Sequence, residues 1–361
     1  MYESFEVHNF RCFEDLSISD LQRVNLIAGL NNVGKTALLE ALFVHAGAYN
    51  PGLTLKLNAL RGVESVRVEL GAWVGGTVWD SLFEDFDTSR TVEIVGQVRG
   101  LGPRTVQLRV IRDAQELATS TYFITGPEER EKAALASRAA QVLDLTYDEP
   151  GGRGSYRMII DEKGPPRVHP LPPPPPFQTY FHTDRAHVPM RENADLFSRL
   201  QVERRVDALV KVLRIVERDL QGLELIMEGG EPVLHGDMGK RRPIPLPLMG
   251  GGMVRLAGLV LRMANAPGGV MLVDEIENGL HHSILLDVWR AVGRLAREWD
   301  VQVFATTHSL ECVAAAHTAF AESIEYDFRL HRLERVKGDI QAVTYERETL
   351  EAAIETGLEV R

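Results

Sequence analysis

The chain has 361 residues, of which 44% are hydrophobic and 25% are charged. This is ordinary globular composition, with room for one large α/β domain or two smaller ones. The net charge is −11, so contact with nucleic acid would need a local basic patch. The chain opens without a signal-peptide pattern, holds no uncharged apolar stretch of membrane length, and contains only Cys12 and Cys312 as cysteines. Composition therefore favours a cytoplasmic protein without a membrane span or a disulfide framework.

The first third of the chain is predicted to combine strands with one helix. FEVHNF alternates as a strand does, and RVNLIAG is an apolar strand that ends at glycine. KTALLEALFVHAGA, which begins at Lys35, has the wide apolar face of a helix. Alternation in VESVRVEL, TVEIVGQV and TVQLRVIR predicts antiparallel strands between residues 63 and 112.

The middle of the chain is predicted to hold helices and a stiff connector. Proline and acids at residues 127–129 begin a helix near 127–142. The run Pro172–Pro176 predicts a polyproline II stretch, either a connector or a ligand for a proline-reading domain. TYFHTD is predicted as a strand, and apolar residues at helical spacing predict one long helix over 193–221. That helix is too short for a coiled-coil arm.

From residue 243 strands and helices alternate, which is typical of a parallel sheet covered by helices. The basic groups Arg204-Arg205 and 240–242 are predicted to be solvated surface, with nucleic-acid contact as the alternative. The tryptophans predicted to be core or half-buried are Trp73, Trp79, Trp289 and Trp299.

A phosphate-binding loop is predicted at Gly29–Thr36, where GLNNVGKT matches G-x-x-x-x-G-K-[ST]. Its glycines let backbone N–H groups turn toward phosphate oxygens, and the helix that follows adds its positive end. In this pattern Lys35 reaches the β- and γ-phosphates and the Thr36 hydroxyl binds Mg²⁺. The residues predicted to hold the nucleotide here are Asn31, Asn32, Val33, Gly34, Lys35, Thr36 and Ala37.

Two further buried strands end in polar residues. VMLVDE places Asp274 and Glu275 at the carboxyl edge of a sheet, where ligands of open α/β sheets bind. We expect Asp274 to hold Mg²⁺, directly or through a water, and Glu275 to polarise an attacking water. About thirty residues later, VQVFATTHS ends at His308, either a structural histidine or part of the same site.

This order of motifs resembles ABC-type ATPases of the RecF, SMC and Rad50 group. VDEIENGLHH with ATTHSLEC is more similar to the AAA15/AAA21 family, which includes the ATPase half of OLD nucleases. The resemblance implies an α/β fold of the ABC-type P-loop NTPases, with a mixed or parallel sheet core, an antiparallel β subdomain and a helical lobe. It implies ATP and Mg²⁺ as cofactors and catalytic roles for Lys35, Glu275 and His308, the last as the switch histidine at the γ-phosphate.

The signature segment departs from the ABC pattern. LMGGGM stands where those enzymes have Leu-Ser-Gly-Gly-Gln, so Met249 replaces the serine hydroxyl. Gly250, Gly251 and Gly252 keep an anion site at the start of a helix. We expect them to contact the γ-phosphate of a facing subunit through the backbone, aided by Arg255, with a plain glycine loop as the alternative.

Two smaller stretches correspond to the Q-loop and the D-loop of the ABC pattern. No glutamine marks a Q-loop after TYFHTD, and Asp184 or His182 is expected to take its place. His281-His282 follow Asn278-Gly279-Leu280, and we expect them in the D-loop that contacts the other subunit, with a metal site as the alternative.

One composite domain is expected over residues 1–361. Residues 1–178 would carry the phosphate loop, the antiparallel insertion and the connector. Residues 179–242 would carry the Q-loop-like exit and a helical subdomain, and 243–361 the signature-like loop, the strand VMLVDE (the Walker B strand), the D-loop and His308. Two copies are expected to bind ATP between them as a homodimer.

Two biological roles remain open. The 53 residues after His308 lack the acids of a TOPRIM nuclease, so we expect a separate effector protein. One role is a regulatory ATPase that senses foreign or damaged nucleic acid, as relatives in phage defence do. The other is a RecF- or Rad50-like ATPase of DNA repair or recombination that binds DNA. A small-molecule kinase or GTPase would not explain the glycine triplet together with His308.

Overall fold

The computed structural model describes residues 1–61, 76–113, 116–117, 141–161, 165–183 and 190–361. The strands within these ranges are β1 Tyr2–Phe10, β2 Phe13–Ile18, β3 Val24–Ala28, β4 Val92–Val98, β5 Gly102–Ile111, β6 Gln141–Glu149, β7 Gly152–Ile160, β8 Arg167–His169, β9 Thr179–His182, β10 Gly222–Glu228, β11 Glu231–Asp237, β12 Ile244–Pro245, β13 Val270–Val273, β14 Gln302–Thr306, β15 Phe328–Val336 and β16 Asp339–Tyr345. The α-helices are α1 Lys35–Ala46, α2 Leu53–Leu60, α3 Met190–Val202, α4 Val206–Leu213, α5 Gly251–Ala264, α6 Leu285–Glu298, α7 Leu310–Ala321 and α8 Arg347–Glu355.

A six-stranded sheet in the order β16-β15-β3-β14-β13-β9 forms the centre of the fold. Its neighbours from β15 to β9 run parallel, and only β16 is antiparallel to its neighbour. Every residue of β3, β13 and β14 is buried, as expected for strands covered on both faces. Because parallel strands end at the same edge, the segments after β3, β9, β13 and β14 lie side by side.

Helix α1 lies between this sheet and a second one. The second sheet is antiparallel, in the order β2-β1-β4-β5-β6-β7-β8. Burial alternates along β4, so one of its faces packs inward. Of the α1 residues only Thr36 is not buried, and the apolar side chains of the helix join those of both sheets in one core. A helix that is apolar on nearly all sides is what such a position requires.

The other face of the central sheet packs on α3 to α7 and forms a second core. Alternate residues of β3 contribute to the two cores: Leu26 faces the helices, and Ile27 faces α1 and the antiparallel sheet. A small antiparallel sheet, β10-β11-β12, packs on the helical side through Leu223 and Leu234. The predicted architecture, a mixed sheet with an antiparallel sheet and a helical layer, is confirmed.

The single long helix predicted over 193–221 is wrong. Helix α3 ends at Val202 and α4 covers only Val206–Leu213. Arg204, between them, has φ 56, a left-handed conformation that no continuous helix contains. The apolar spacing continues through the break because both helices face the same core, so spacing alone could not reveal it.

Some of the other predicted features lie within the described residues and some lie outside them. Trp79, Trp289 and Trp299 are buried as predicted, and residues 240–242 are exposed. Trp73, VESVRVEL and residues 127–140 of the predicted helix lie outside the described residues, and residues 141–142 belong to β6. The polyproline II stretch stays a prediction. In the described part of the chain, no helix is long and apolar enough to cross a membrane.

Candidate nucleotide-binding site

The loop between β3 and α1 depends on glycine at two positions. Gly29 has φ 148, and a Cβ on it would lie 2.6 Å from the Leu333 carbonyl oxygen. Gly34 has φ 90, and a Cβ there would come within 2.7 Å of the Phe13 ring and of the Cys12 sulfur. Any larger residue would therefore be strained and would clash. The two glycines that define the phosphate-loop pattern are both required by this backbone.

The ammonium group of Lys35 lies inside this loop. Its Nζ donates to the carbonyl oxygens of Gly29 at 2.7 Å and Leu30 at 2.9 Å. Burial lowers the pKa of Lys35, and the nearby charges of Glu275 and Asp274 oppose that shift. The loop thus holds one cation where phosphate oxygens of a nucleotide would enter.

Thr36 and Asp274 meet at the edge of the central sheet. The Thr36 hydroxyl donates to Asp274, with Oγ1 3.0 and 3.1 Å from the two carboxylate oxygens. Thr306, the last residue of β14, donates from its hydroxyl to Asp274 Oδ1 at 2.7 Å. Hydroxyl and carboxylate oxygens are the hard donors that Mg²⁺ prefers. The residues present therefore fit the predicted magnesium site.

Glu275 leaves the strand in an unusual backbone conformation. Its φ is 50, which is uncommon for a residue with a side chain. Its backbone N–H donates to the Thr306 hydroxyl at 2.8 Å, and its Oε2 accepts from the Asn278 side chain at 2.5 Å. The side chain of this candidate base is therefore held in place at the sheet edge. The sequence placed Asn278 only in the stretch before His281-His282, and its contact with Glu275 was not expected.

His308 follows β14 at the same edge, and 48% of its side chain is exposed. A second acid holds its loop: Glu277 Oε1 accepts from the Thr307 hydroxyl at 2.7 Å and from the His308 backbone N–H at 3.0 Å. Sequence analysis missed Glu277. Its signal was an additional carboxylate two residues past Glu275.

The glycine triplet lies at the start of α5, next to the loop that follows β13. A Cβ on Gly250 or Gly251 would meet nothing within 4 Å, whereas one on Gly252 would lie 2.6 Å from the Gly279 carbonyl oxygen. Gly252 thus packs backbone to backbone against its own chain. Gly250 and Gly251 leave open space at the helix N-terminus, where free N–H groups are found.

The expected help of Arg255 at a facing subunit's phosphate is wrong. Its side chain is buried, and Nη2 donates to the backbone carbonyl oxygens of Asp274 and Glu275, both at 2.5 Å. Burial lowers the pKa of Arg255, and the charge of Asp274 opposes that shift. The guanidinium group therefore connects α5 to the Walker B strand of its own chain, and this direction was not readable from spacing.

The Q-loop candidates are only partly described. Asp184 lies outside the described residues. His182 is buried at the end of β9, and its backbone carbonyl accepts from the Asp274 N–H at 2.9 Å. Burial, with Arg262 and Arg255 close by, lowers its pKa to about 3. A Cβ on Gly258 of α5 would lie 2.9 Å from its ring, so the ring packs on α5.

His281 and His282 lie side by side on the surface. Their rings are 4.1 Å apart, and His281 Nδ1 lies 2.9 Å from the Ser283 hydroxyl. Among the residues that the structure describes, no three His, Cys, Asp or Glu side chains converge, so the structure gives no support to a metal site at these histidines. Their placement in a D-loop stays a prediction.

Two family models match the chain. Residues 1–72 match the family described as "AAA ATPase domain". Residues 172–314 match the family described as "AAA domain, putative AbiEii toxin, Type IV TA system". Two stretches of the chain are thus similar to AAA-type ATPase domains. The first match includes the phosphate loop, and the second includes Asp274, Glu275 and His308. The predicted resemblance to the AAA15/AAA21 family is confirmed, and with it the class of enzyme, an ATPase.

One protein and two solved head domains are similar to this chain over most of its length. A protein named ATP/GTP phosphatase from Helicobacter pylori is 22% identical over 340 residues, covering 87% of this chain and 86% of that protein. The SMC head domain from Thermotoga maritima is 16% identical with a TM-score of 0.40, over 96% of this chain and 99% of that one. An SMC head bound to the C-winged helix domain of ScpA is 12% identical with a TM-score of 0.49, over 98% and 99%.

Proposed function

We propose that the protein is a magnesium-dependent ATPase that binds ATP between two copies of itself and uses the bound nucleotide to control a separate effector. The contact of Thr36 with Asp274 carries this proposal. It joins residues 238 positions apart and brings the phosphate loop to the end of the Walker B strand. ATP hydrolysis needs these two elements side by side.

Each residue of the site has a role in this reaction. Lys35 binds the β- and γ-phosphates, and the N–H groups at the start of α1 add to their binding. Thr36 and Asp274 would hold Mg²⁺, which neutralises phosphate charge when bound. Glu275, held by Asn278, orients the attacking water and accepts its proton. His308 contacts the γ-phosphate. Phosphoryl transfer of this kind is catalysed mainly by positioning and charge stabilisation.

A second copy would complete the site. Lys35, Thr36, Asp274 and Glu275 all belong to one edge of one sheet, so the outer side of the γ-phosphate needs another donor. The open space at Gly250 and Gly251 supports a contact with the phosphate of a facing subunit. ATP would then hold the two copies together.

Control of an effector is supported by the description of the second family, which names a toxin and a type IV toxin–antitoxin system. We expect a partner protein to co-purify with the chain at native expression, and mass analysis to identify it. A nucleic acid found in its place would favour the repair or recombination role. Recovery of the chain alone, with and without ATP, would contradict a stable effector complex.

The substitution Glu275→Gln tests the ATPase mechanism. The amide keeps the size of the side chain and removes the base, so ATP binding should persist while kcat falls about 10²- to 10⁴-fold. Turnover with Mg²⁺ and ATP measures this. The same change at Glu325, an exposed residue after α7, is the control and should leave turnover unchanged. Near-normal hydrolysis by Glu275→Gln would place the base elsewhere.

A further inference from the structure

Glu277 is a largely buried carboxylate that contacts three atoms of the loop bearing His308. Its side chain is 10% exposed. Oε1 accepts hydrogen bonds from the Thr307 hydroxyl at 2.7 Å and from the His308 N–H at 3.0 Å. The same oxygen lies 3.3 Å from Nδ1 of the His308 ring. One carboxylate oxygen therefore faces both the backbone and the ring of His308.

The second oxygen of Glu277 has a different environment. Oε2 is buried and has no hydrogen-bond partner among the described residues. A buried carboxylate kept only for stability would be expected to have donors at both oxygens, since an unsatisfied one is unfavourable. The donors here converge on the oxygen that faces His308. This asymmetry indicates that Glu277 acts on His308.

Two cations share the electrostatic environment of Glu277. Burial lowers the pKa values of Lys35 and Arg255, and Glu277 is among the carboxylates that oppose both shifts. The carboxylate thus belongs to the electrostatic environment of the candidate site.

We propose that Glu277 is a positioning residue that holds the His308 ring for its contact with ATP. The two ring nitrogens of histidine point in different directions, so a ring held at Nδ1 presents Nε2 away from Glu277. The half-exposed ring can then offer Nε2 to the γ-phosphate. This inference rests on the proposed function, because it requires that the site hydrolyses ATP.

A double-mutant cycle on ATP turnover tests the inference. Glu277→Gln keeps an oxygen that can accept from Thr307 and from the His308 backbone, but removes the charge beside the ring. We expect kcat to fall about 10- to 100-fold, as for other small misplacements of a catalytic group. KM for ATP should change less than about threefold, because the phosphate loop is intact. In a His308→Ala background the same substitution should change kcat less than about twofold.

Two further variants make the result unambiguous. Glu311→Gln is the matched control, because that exposed carboxylate contacts Ser309 and not the ring, and kcat should stay unchanged. If Glu277→Gln does not give a cooperative thermal transition, Glu277→Asp replaces it. Aspartate keeps the charge but withdraws it from Nδ1, so the same loss of kcat is expected, and again only when His308 is present.

The outcomes separate this inference from the proposed function. If His308→Ala leaves kcat unchanged, the role of His308 at the phosphate is wrong, and the positioning role with it. If His308→Ala lowers kcat but Glu277→Gln is equally harmful in both backgrounds, only the positioning role is wrong. A wild-type kcat for Glu277→Gln would also overturn it. ATPase activity that depends on Glu275 would stand in each of these cases.

Discussion

At Lys35 the fold places a cation inside a loop whose carbonyl oxygens already bind it. Two hydrogen bonds hold Nζ there, to Gly29 and Leu30. A nucleotide's phosphates offer stronger, charged acceptors for the same ammonium group. The loop therefore keeps the Lys35 side chain in place for the ligand. A substitution of Lys35 is for this reason the most direct test of nucleotide binding.

Lys35→Ala should weaken ATP binding by at least about 100-fold, because two charge-assisted hydrogen bonds of about 1.5–3 kcal/mol each are lost. Calorimetry with ATP and Mg²⁺ measures the change. Lys56→Ala, which removes an exposed cation from α2, is the matched control and should bind ATP normally. An unchanged affinity for Lys35→Ala would show that nucleotide binds somewhere else.

Residues at the ends of strands were predictable from sequence, and residues just beyond them were not. Asp274 and Glu275 directly follow a buried strand, so the strand itself fixes which edge of the sheet they occupy. Past Glu275, with φ 50, the chain changes direction, and alternation no longer tells where a side chain points. Glu277 and Asn278 therefore entered the site only through the structure.

Helix α5 is the element on which the dimer proposal depends. Its N-terminus is fixed to the loop after β13 of the same chain by the contact of Gly252 with Gly279 and by the hydrogen bonds of Arg255. Gly250 and Gly251 extend beyond these fixed points into open space. Of the three glycines, Gly251 is the one that can take a side chain without disturbing the monomer. A Cβ there meets nothing within 4 Å, and unlike Gly250 it does not have a left-handed φ.

Gly251→Glu should prevent ATP-dependent dimerisation and leave ATP binding to the monomer intact. The added carboxylate repels the γ-phosphate of the facing subunit and fills the space needed for close approach. Light scattering with ATP and Mg²⁺ in a Glu275→Gln background measures the mass. Gly151→Glu, at another open glycine on the turn after β6, is the control and should still dimerise.

A Gly251→Glu variant that still dimerises with ATP would rule out a contact through the glycine triplet. Gly252 is a poor site for this test, because any Cβ there would meet the Gly279 carbonyl oxygen at 2.6 Å and disturb the monomer. The sequence showed three equivalent glycines. Only the packing of α5 on the loop after β13 distinguishes them.

On the helical side of the molecule, sequence periodicity predicts the apolar face of a helix but not where the helix ends. The parallel strands were predictable because a short continuous apolar run bounded by glycine is typical of a strand buried on both faces. The division between α3 and α4 was not, because Arg204 and Arg205 are ordinary helix formers in sequence. In the structure Arg205 lies over the Trp299 ring at 4.7 Å and donates to the Ala264 carbonyl, contacts with distant residues that periodicity does not register.

Five histidines are buried among the described residues, and three of them, in separate places, have a strongly lowered pKa. His45 lies on α1 beneath the antiparallel sheet, His182 at the end of β9, and His331 on β15. Burial is the largest cause that lowers the pKa of each to about 3, from an ordinary value of 6.5. The folded protein therefore keeps all three neutral at pH values where the unfolded chain protonates them.

This difference makes stability depend on pH in one direction. Well above pH 6.5 neither state is protonated at these sites, so they add no pH dependence there. Between pH 6.5 and 3 the unfolded state binds up to three more protons, so the free energy of unfolding falls as the pH falls. The slope approaches about 4 kcal/mol per pH unit for three groups. From pH 7.5 to 5.5 the loss is about 4 kcal/mol, a large part of the usual 5–15 kcal/mol.

Urea unfolding followed by circular dichroism between pH 7.5 and 5.5 measures this dependence above the range in which most carboxylates titrate. His45→Gln should reduce the loss of stability over that interval by up to about one third, because one of these three imidazoles no longer takes up a proton on unfolding. The side-chain amide can replace the contacts of His45 with the Tyr2 hydroxyl and the Arg104 carbonyl. His282→Gln, at an exposed histidine, should leave the pH dependence unchanged. A free energy of unfolding that stays flat from pH 7.5 to 5.5 would contradict the burial of neutral imidazoles in both cores.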